Sequence, residues 1–431
     1  MTPGARIQGS IDILEGLLAS GRPADRFLTH WFRTRRYAGS KDRRAIRERL
    51  FIVLRHFRQL QWFCGEGASV RSLILVSLVL SERQSVSEIS EQCDGERYRP
   101  SPLADTEIAM LIALEGKSIF DSGMPRPARH NLEDWLYEKA VTSLGPQLEE
   151  ELAVLATQAP LDVRVNLLKS DREVVLRALK SSAVTASPTR LSPIGVRLKV
   201  HQSLSQVDIF REGLIEIQDE GSQLVALLCD AQPGMRVLDL CAGAGGKSLA
   251  LAACMGDEGS ITLCDLDSVR LHQAKKRLAR AGVTIGKTRL IANDDDSWVA
   301  TQVEGFDRVL VDAPCTGSGA WRRHPEARLR LTEAQFDEYR NLQRRLLLKA
   351  APLVRPGGRL IYATCSFFSD ENRDVVDALL DQRSDYEALS IERVWQETLG
   401  GLCPGKGPSL QLTPFRNGTD GFFITVLERK K

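Results

Sequence analysis

Apolar residues recur every three or four positions through the first 157 residues, in "IDILEGLL", "RAIRERLFIVLRHFRQLQWF", "VRSLILVSLVLSE", "TEIAMLIALEG", "LEDWLYEKAVTSLG" and "QLEEELAVLATQA". That period puts them on one face of a helix, and Gly and Pro clusters separate the stretches. The spacing predicts an all-helical domain over 1–157. After Pro160 the period shortens. "LDVRVNLL", "GVRLKV" and "GLIEIQD" are strand-like, and "DREVVLRALKS" is a short helix opened by an Asp cap. A small α+β module is predicted over 158–220. From Gly221 strands and helices alternate. "RVLDL", "SITLCDLD", "TRLIAND", "FDRVLVDAP", "RLIYATCS" and "GFFITVLER" are strands, with helical patterns between most of them. This order predicts a doubly wound, mostly parallel α/β sheet over 221–431.

The bulk composition, 43% hydrophobic and 26% charged in 431 residues, is that of a soluble globular chain. No apolar run is long enough to cross a bilayer, and the first residues lack a signal-peptide core. The nine cysteines are scattered with no CxxC pair, which argues against a disulfide framework and a structural zinc site. We therefore expect a cytoplasmic protein with no metal and no membrane partner. Charge changes the picture more. Residues 21–60 carry 12 Lys/Arg against 3 Asp/Glu, interleaved with Phe27, Trp31, Phe32, Tyr37 and Phe57. Such a segment suits a nucleic-acid backbone, whereas its plainer reading is a solvated helix face with core aromatics.

The stretch "VLDLCAGAGGKS" follows one predicted strand and opens a helix. Gly243, Gly245 and Gly246 permit a tight turn and close approach of a ligand. A dinucleotide-type third glycine would fall at Ser248. The next strand ends in "CDLD", placing Asp265 to take two ribose hydroxyls, and the one after ends in "ANDDD", where an acid can meet the adenine amine. A Rossmann-like sheet binding S-adenosylmethionine is the expectation, with helix N-capping as the competing use of those acids.

Two further strands end in cysteines, in "DAPCTGSGAWRR" and "YATCSFFSDEN". Open α/β sheets bind ligands beyond the carboxyl ends of their strands, so Asp312, Cys315 and Cys365 should converge. A methyl donor beside a thiolate fits one chemistry well. Carbon 5 of a pyrimidine is a poor nucleophile until a thiolate adds to carbon 6. One thiol would attack and the other would help undo the bond, with Asp312 facing the ring edge. Spacing does not say which thiol does which.

"CAGAGGKS", "CDLD", "DAPCTGSG", "YATCS" and "RNGTDGFF" resemble, in order, the sequence blocks of the RNA cytosine-5 methyltransferases of the Sun/RsmB type. The resemblance covers roughly 160–431, and implies a class I methyltransferase domain behind an RNA-recognition-like module. The front part, clearest at "RRYAGSKDRRAIRERLFIVLR", resembles the NusB-like RNA-binding domain of bacterial members. The resemblance implies Cys365 as nucleophile and Cys315 in product release. It implies that Cys241, Ala242, Gly243, Ala244, Gly245, Gly246 and Lys247 line the donor. Asp265 would bind ribose, Asp294 would lie near adenine, and Asp312 would face cofactor or base. Gly243 and Ala244 stand where the family often has Ala-Pro, which removes a stiffening proline from the loop.

The basic loop 319–330, with Trp321, Arg322, Arg323, His324 and Arg328, is a candidate RNA grip. The substrate implied is RNA, ribosomal RNA being favoured, acted on by a monomer. The alternatives are a transfer RNA cytosine-5 methyltransferase and a non-catalytic RNA-binding ribosome-assembly factor on the same fold. The latter would be expected to lose Cys365, Asp312 or the glycine loop, and all three are present.

Overall fold

The computed structural model describes residues 1–199, 204, 207–292 and 297–431. Two compact units divide the chain: Met1–Thr157 with Trp321–Leu331, and Gln158–Ala320 with Thr332–Lys431.

The first unit is helical. Its central helix, Val70–Leu80, is buried at every position from Leu73 to Leu80. A helix apolar on all sides belongs inside a bundle, and helices Pro3–Ser20 and Ser40–Arg55 pack on it. Where the sequence predicts one helix through "RAIRERLFIVLRHFRQLQWF", the structure has two, Ser40–Arg55 and Phe57–Cys64. Buried Asn131 fills the break. Its Nδ2 donates to the Leu54 and Arg55 carbonyls at 3.0 and 2.9 Å, and its Oδ1 accepts from Arg58 N at 2.8 Å. These are the groups a helix end leaves without partners.

Two expectations for this unit change. Trp31 and Phe32 of the basic segment are buried, and Phe27 and Phe57 pack on the same core, so of the five aromatics Tyr37 alone is exposed. The basic loop after the first thiol does not present an RNA grip as predicted, because Trp321, Arg322 and Arg328 are buried. Arg328 donates to Arg55 O at 3.0 Å, Arg330 donates to the Gly21 and Arg22 carbonyls, and Glu326 accepts from Ala24 N at 2.9 Å. These arginines cap backbone groups of the helical unit instead of facing solvent. Burial, then Arg55, lowers the Arg328 guanidinium to about 9. His324 is exposed and Arg323 half-buried.

The second unit holds two sheets. A four-stranded antiparallel sheet consists of β1 (Leu161–Val165), β2 (Ala186–Pro188), β3 (Gly195–Leu198) and β4 (Ile215–Ile217), in the order β2-β3-β1-β4. The larger sheet contains β5 (Arg236–Asp239), β6 (Ser260–Asp265), β7 (Gly286–Leu290), β8 (Phe306–Asp312), β9 (Val354–Thr364), β10 (Tyr386–Ala388), β11 (Leu410–Leu412) and β12 (Phe422–Arg429). Its order is β10-β12-β9-β8-β5-β6-β7, with β11 on β12. Strands β5 to β9 are parallel, and β12 runs antiparallel to β9, β10 and β11. Val309–Val311 and Leu360–Ala363 are buried, as strands covered on both faces must be. Strand β5 pairs with β6 on one side and β8 on the other. Chain order reverses there, which opens a crevice at the carboxyl ends.

The class predicted from sequence is therefore seen, an α/β Rossmann-like sheet. Strands β10 and β11 were not predicted, since three residues are too few to show an alternation, and neither was helix Ile391–Thr398. Strand β7 ends at Leu290, earlier than "TRLIAND" suggests, and Asp294 lies outside the described residues. No helix among the described residues is long and apolar enough to cross a membrane.

Replacing Asn131 by Ala strands the Arg58 N–H and the Leu54 carbonyl at the helix break, while Arg55 O keeps its bond from Arg328. Each buried orphan costs about 1–3 kcal/mol, so urea unfolding followed by helical circular dichroism should show a loss of that order. An unchanged midpoint would mean that the break is held by something else.

Candidate active site

Strand β5 ends at Asp239, and residues 240–245 turn into helix Gly246–Cys254. Gly245 caps that helix at φ +76°, and a β-carbon there would sit 3.1 Å from Ala274 Cβ. Both facts demand glycine. Gly243 N donates to Asp265 Oδ2 at 2.7 Å, and Asp267 N holds Asp265 Oδ1 at 2.8 Å. Ala242 N donates to Cys264 O at 2.8 Å. From outside, Arg277 Nη1 donates to Ala244 O at 2.8 Å. Arg277 and Arg280 in turn both pair with Glu216, buried on β4. The predicted residues Cys241 to Lys247 and Asp265 are thus gathered at the ends of β5 and β6. Burial, with Asp239 adding to it, pushes the Cys241 thiol up, so it stays protonated.

The neighbouring strands β8 and β9 deliver the other predicted residues. Cys315 and Cys365, fifty residues apart in sequence, have their Sγ atoms 3.4 Å apart. Lys247 Nζ donates to Asp312 Oδ2 at 2.6 Å. Burial works against the Lys247 ammonium, but Asp312 and Cys365 outweigh it and raise its pKa. The thiols are not equivalent. The hydrogen bond with Cys365, and then burial, push Cys315 well above the ordinary thiol range. The Cys315 thiol is therefore the harder of the pair to ionise, while either sulfur can be the donor of the contact between them. The Cys315 loop then passes under Cys365, where Gly319 N donates to Cys365 O at 3.0 Å and Gly421 N to Gly319 O at 2.9 Å. A β-carbon on Gly319 would lie 2.2 Å from Gly421 O, so that crossing needs glycine.

One residue that sequence reasoning missed holds this arrangement. Glu371 is fully buried and takes four donors. Its Oε1 accepts from Thr316 N and Gln343 Nε2, each at 2.9 Å. Its Oε2 accepts from the hydroxyls of Thr316, at 2.6 Å, and Ser366. Thr316 and Ser366 each follow one of the two cysteines. Burial pushes the Glu371 carboxyl upward, against hydrogen bonds from Ser366, Thr316 and Gln343 that lower it. Its only sequence signal is the acidic pair in "SDEN", and spacing does not reveal which acid turns inward. Asp239 is a second buried acid. Its Oδ2 accepts from Ser248 Oγ at 2.6 Å, while its buried Oδ1 has no hydrogen-bond partner among the described residues. Burial above all raises its pKa from 3.8 to about 7.

Two family models match the chain: 16S rRNA methyltransferase RsmB/F over residues 226–428, and an RsmF/B-like ferredoxin-like domain over 132–205. The chain is 32% identical over 319 residues to the probable ribosomal RNA small subunit methyltransferase B of Synechocystis sp., covering 73% of this chain and 71% of that one. It is 28% identical over 405 residues to the ribosomal RNA small subunit methyltransferase B of Salmonella newport, covering 90% and 91%. Among solved structures, the crystal structure of PH0851 matches with a TM-score of 0.80 and 25% identity, covering 100% of this chain and 99% of that one.

Glu371→Ala should orphan Thr316 N, at about 1–3 kcal/mol, and leave Gln343 Nε2 with only its bond to Pro314 O. Stability should fall accordingly in urea, and a thiol reagent should reach Cys315 and Cys365 faster. Unaltered thiol reactivity would show that Glu371 does not hold the loops. Asp239 gives a pH dependence. Its folded carboxyl keeps a proton that the unfolded chain releases near 3.8, so stability falls as pH rises from that value to about 7. Asp239→Asn should flatten that slope when urea midpoints are compared at acid and neutral pH.

Proposed function

Because the chain belongs to the RsmB/F family of 16S rRNA methyltransferases, we propose that it methylates carbon 5 of a cytosine in small-subunit ribosomal RNA through a transient bond between Cys365 and carbon 6. The observation that carries this reading is the pair of sulfurs 3.4 Å apart beside the Lys247–Asp312 ion pair. It is an S-adenosylmethionine-dependent RNA methyltransferase. The residues fit that group. Gly243 has nothing within 4 Å of where a β-carbon would stand, which leaves the turn open to a ligand. Asp265, fixed by Gly243 N and Asp267 N, is an acceptor at the same turn and is our candidate for the ribose hydroxyls. Asp294 remains the candidate for the adenine.

When bound, S-adenosylmethionine supplies an electrophilic methyl on a sulfonium. The chain's own part is to make carbon 5 reactive. Cys365 adds to carbon 6, and the ring becomes an enamine with electron density at carbon 5. Asp312, anchored by Lys247, faces the exocyclic amine and ring N3. After methylation a water molecule takes the carbon 5 proton, the C–H electron pair restores the carbon 5–carbon 6 double bond, and the carbon 6–sulfur bond breaks to return Cys365 as thiolate. Cys315, which holds its proton beside that sulfur, stabilises the departing thiolate. The target base leaves any helix to reach these residues. In this reading the helical unit is a NusB-like RNA-binding domain, and residues 158–220 are an RNA-recognition-like module.

Transfer of labelled methyl groups to 16S ribosomal RNA and to transfer RNA tests this, with products run on a denaturing gel. Cys365→Ala should lose roughly 10⁴-fold or more, as enzymes do when a covalent nucleophile is removed. Cys315→Ala should turn over poorly and leave RNA attached to protein. Normal methylation by Cys365→Ala overturns the nucleophile assignment, and preferential labelling of transfer RNA overturns the substrate.

A further inference from the structure

A cleft of about 400 Å³ in the helical unit is lined by Gln8, Asp12, Trp31, Tyr37, Arg97 and Tyr98 among others. We infer that this cleft holds an unpaired nucleobase of single-stranded RNA, at a site separate from the one that carries the thiols. The inference rests on the reading that RNA is the substrate.

Three observations carry it. The first is exposure. Tyr37 and Tyr98 are 68% and 67% exposed, yet both line one concavity. Large aromatic rings normally bury most of their area, and the other five aromatics of the basic segment do so here. The second is construction. Tyr98 stands at φ +69°, a left-handed conformation that side chains with a β-carbon avoid. The loop around it is tied by Gly95 N to Pro100 O at 2.9 Å, Arg99 N to Glu96 O at 2.8 Å and the Asp94–Arg99 ion pair. That loop holds the ring outward, with the Arg97 guanidinium 4.8 Å from its centroid. The third is charge. Trp31 and Tyr37 belong to the segment with 12 Lys/Arg against 3 Asp/Glu, and the Arg35 guanidinium lies 4.1 Å from the Trp31 ring centroid.

Aromatic rings beside guanidinium groups are the usual platform for single strands, since every base has a π-face and every link a phosphate. A duplex hides those faces in its own stack. Gln8 and Asp12, joined by a hydrogen bond of 2.8 Å, supply polar groups for a base edge. The volume falls within the range of about 300–1,000 Å³ typical of ligand pockets.

The test uses the full chain and fluorescence anisotropy. The probes are an oligoadenylate of about 12 nucleotides, within the range one single-strand binding fold covers, and a blunt RNA duplex. Tyr37→Ala and Tyr98→Ala should each weaken single-strand binding about tenfold, the scale of one lost base stack. Duplex binding should be unchanged. Tyr37→Phe and Tyr98→Phe keep the ring and should bind as the wild type does, which separates stacking from a folding defect. Single-strand affinity unchanged in both Ala variants overturns the inference, as does an equal loss for duplex and single strand. Methyl transfer by the wild type distinguishes the two readings. Transfer with unchanged Ala variants defeats the cleft alone, and a tenfold loss in a chain that transfers no methyl defeats the catalytic reading alone.

Discussion

A buried carboxylate governs the catalytic half. Glu371 has no exposed surface, and burying such a group is costly unless its lone pairs are filled. They are filled by groups from separate parts of the chain: Thr316 beside Cys315, Ser366 beside Cys365, and Gln343 on helix Glu333–Ala350. Burial and hydrogen bonding therefore enforce each other. The carboxylate is tolerable only when both cysteine loops are in place, and the loops are placed by meeting it. Gln343 Nε2 adds a second tie by also donating to Pro314 O at 2.8 Å. Tyr362 donates from its hydroxyl to Glu371 O at 2.6 Å, so β9 itself fixes the acid's backbone. Two thiols fifty residues apart meet without any covalent link.

A similar device steadies the glycine turn. Glycine gives the turn its shape but also leaves it soft. The stiffness comes from Arg277, which grips Ala244 O while Glu216 grips Arg277. Glu216 lies on the small antiparallel sheet, not on the sheet that holds the turn. Asn166, just after β1, adds bonds from Nδ2 to Gly213 O and Ala281 O, both at 2.9 Å. The small module is thus a brace for the turn as well as a surface of its own. Loss of its buried charges would be felt along the turn, at Gly243 and Asp265.

How much of this was legible in the sequence follows from what pattern reading measures. Periodicity found the strands that are buried on both faces, because there residue after residue is apolar, as in "RVLVD" and "LIYAT". It placed the two cysteines and Asp312 together, because a strand end marks a place as well as an element. It missed Glu371 and Glu216, because a buried acid is invisible until its partners are known, and those partners are distant in sequence. It misjudged Trp321, Arg322 and Arg328 for the same reason. Arginine next to tryptophan signals a surface grip only if the segment stays on the surface, and this one packs into the helical unit. The break at His56 was hidden likewise, since the side chain that fills it is Asn131.

The two thiols look interchangeable in sequence, and the structure makes them differ. Cys315 is held protonated by its hydrogen bond to Cys365 and by burial, with Glu371 adding the same bias. Cys365 contributes to keeping the Lys247 ammonium charged. The sulfur pair thus has a thiol that resists ionisation in Cys315 and an ammonium nearby in Lys247. That asymmetry suits the covalent mechanism proposed above. One sulfur must carry charge to attack, and the other must carry the proton that eases its departure. The carboxylate that brings the two loops together also adds to the upward push on Cys315, behind the contact with Cys365 and burial, so one buried group serves position and electrostatics together.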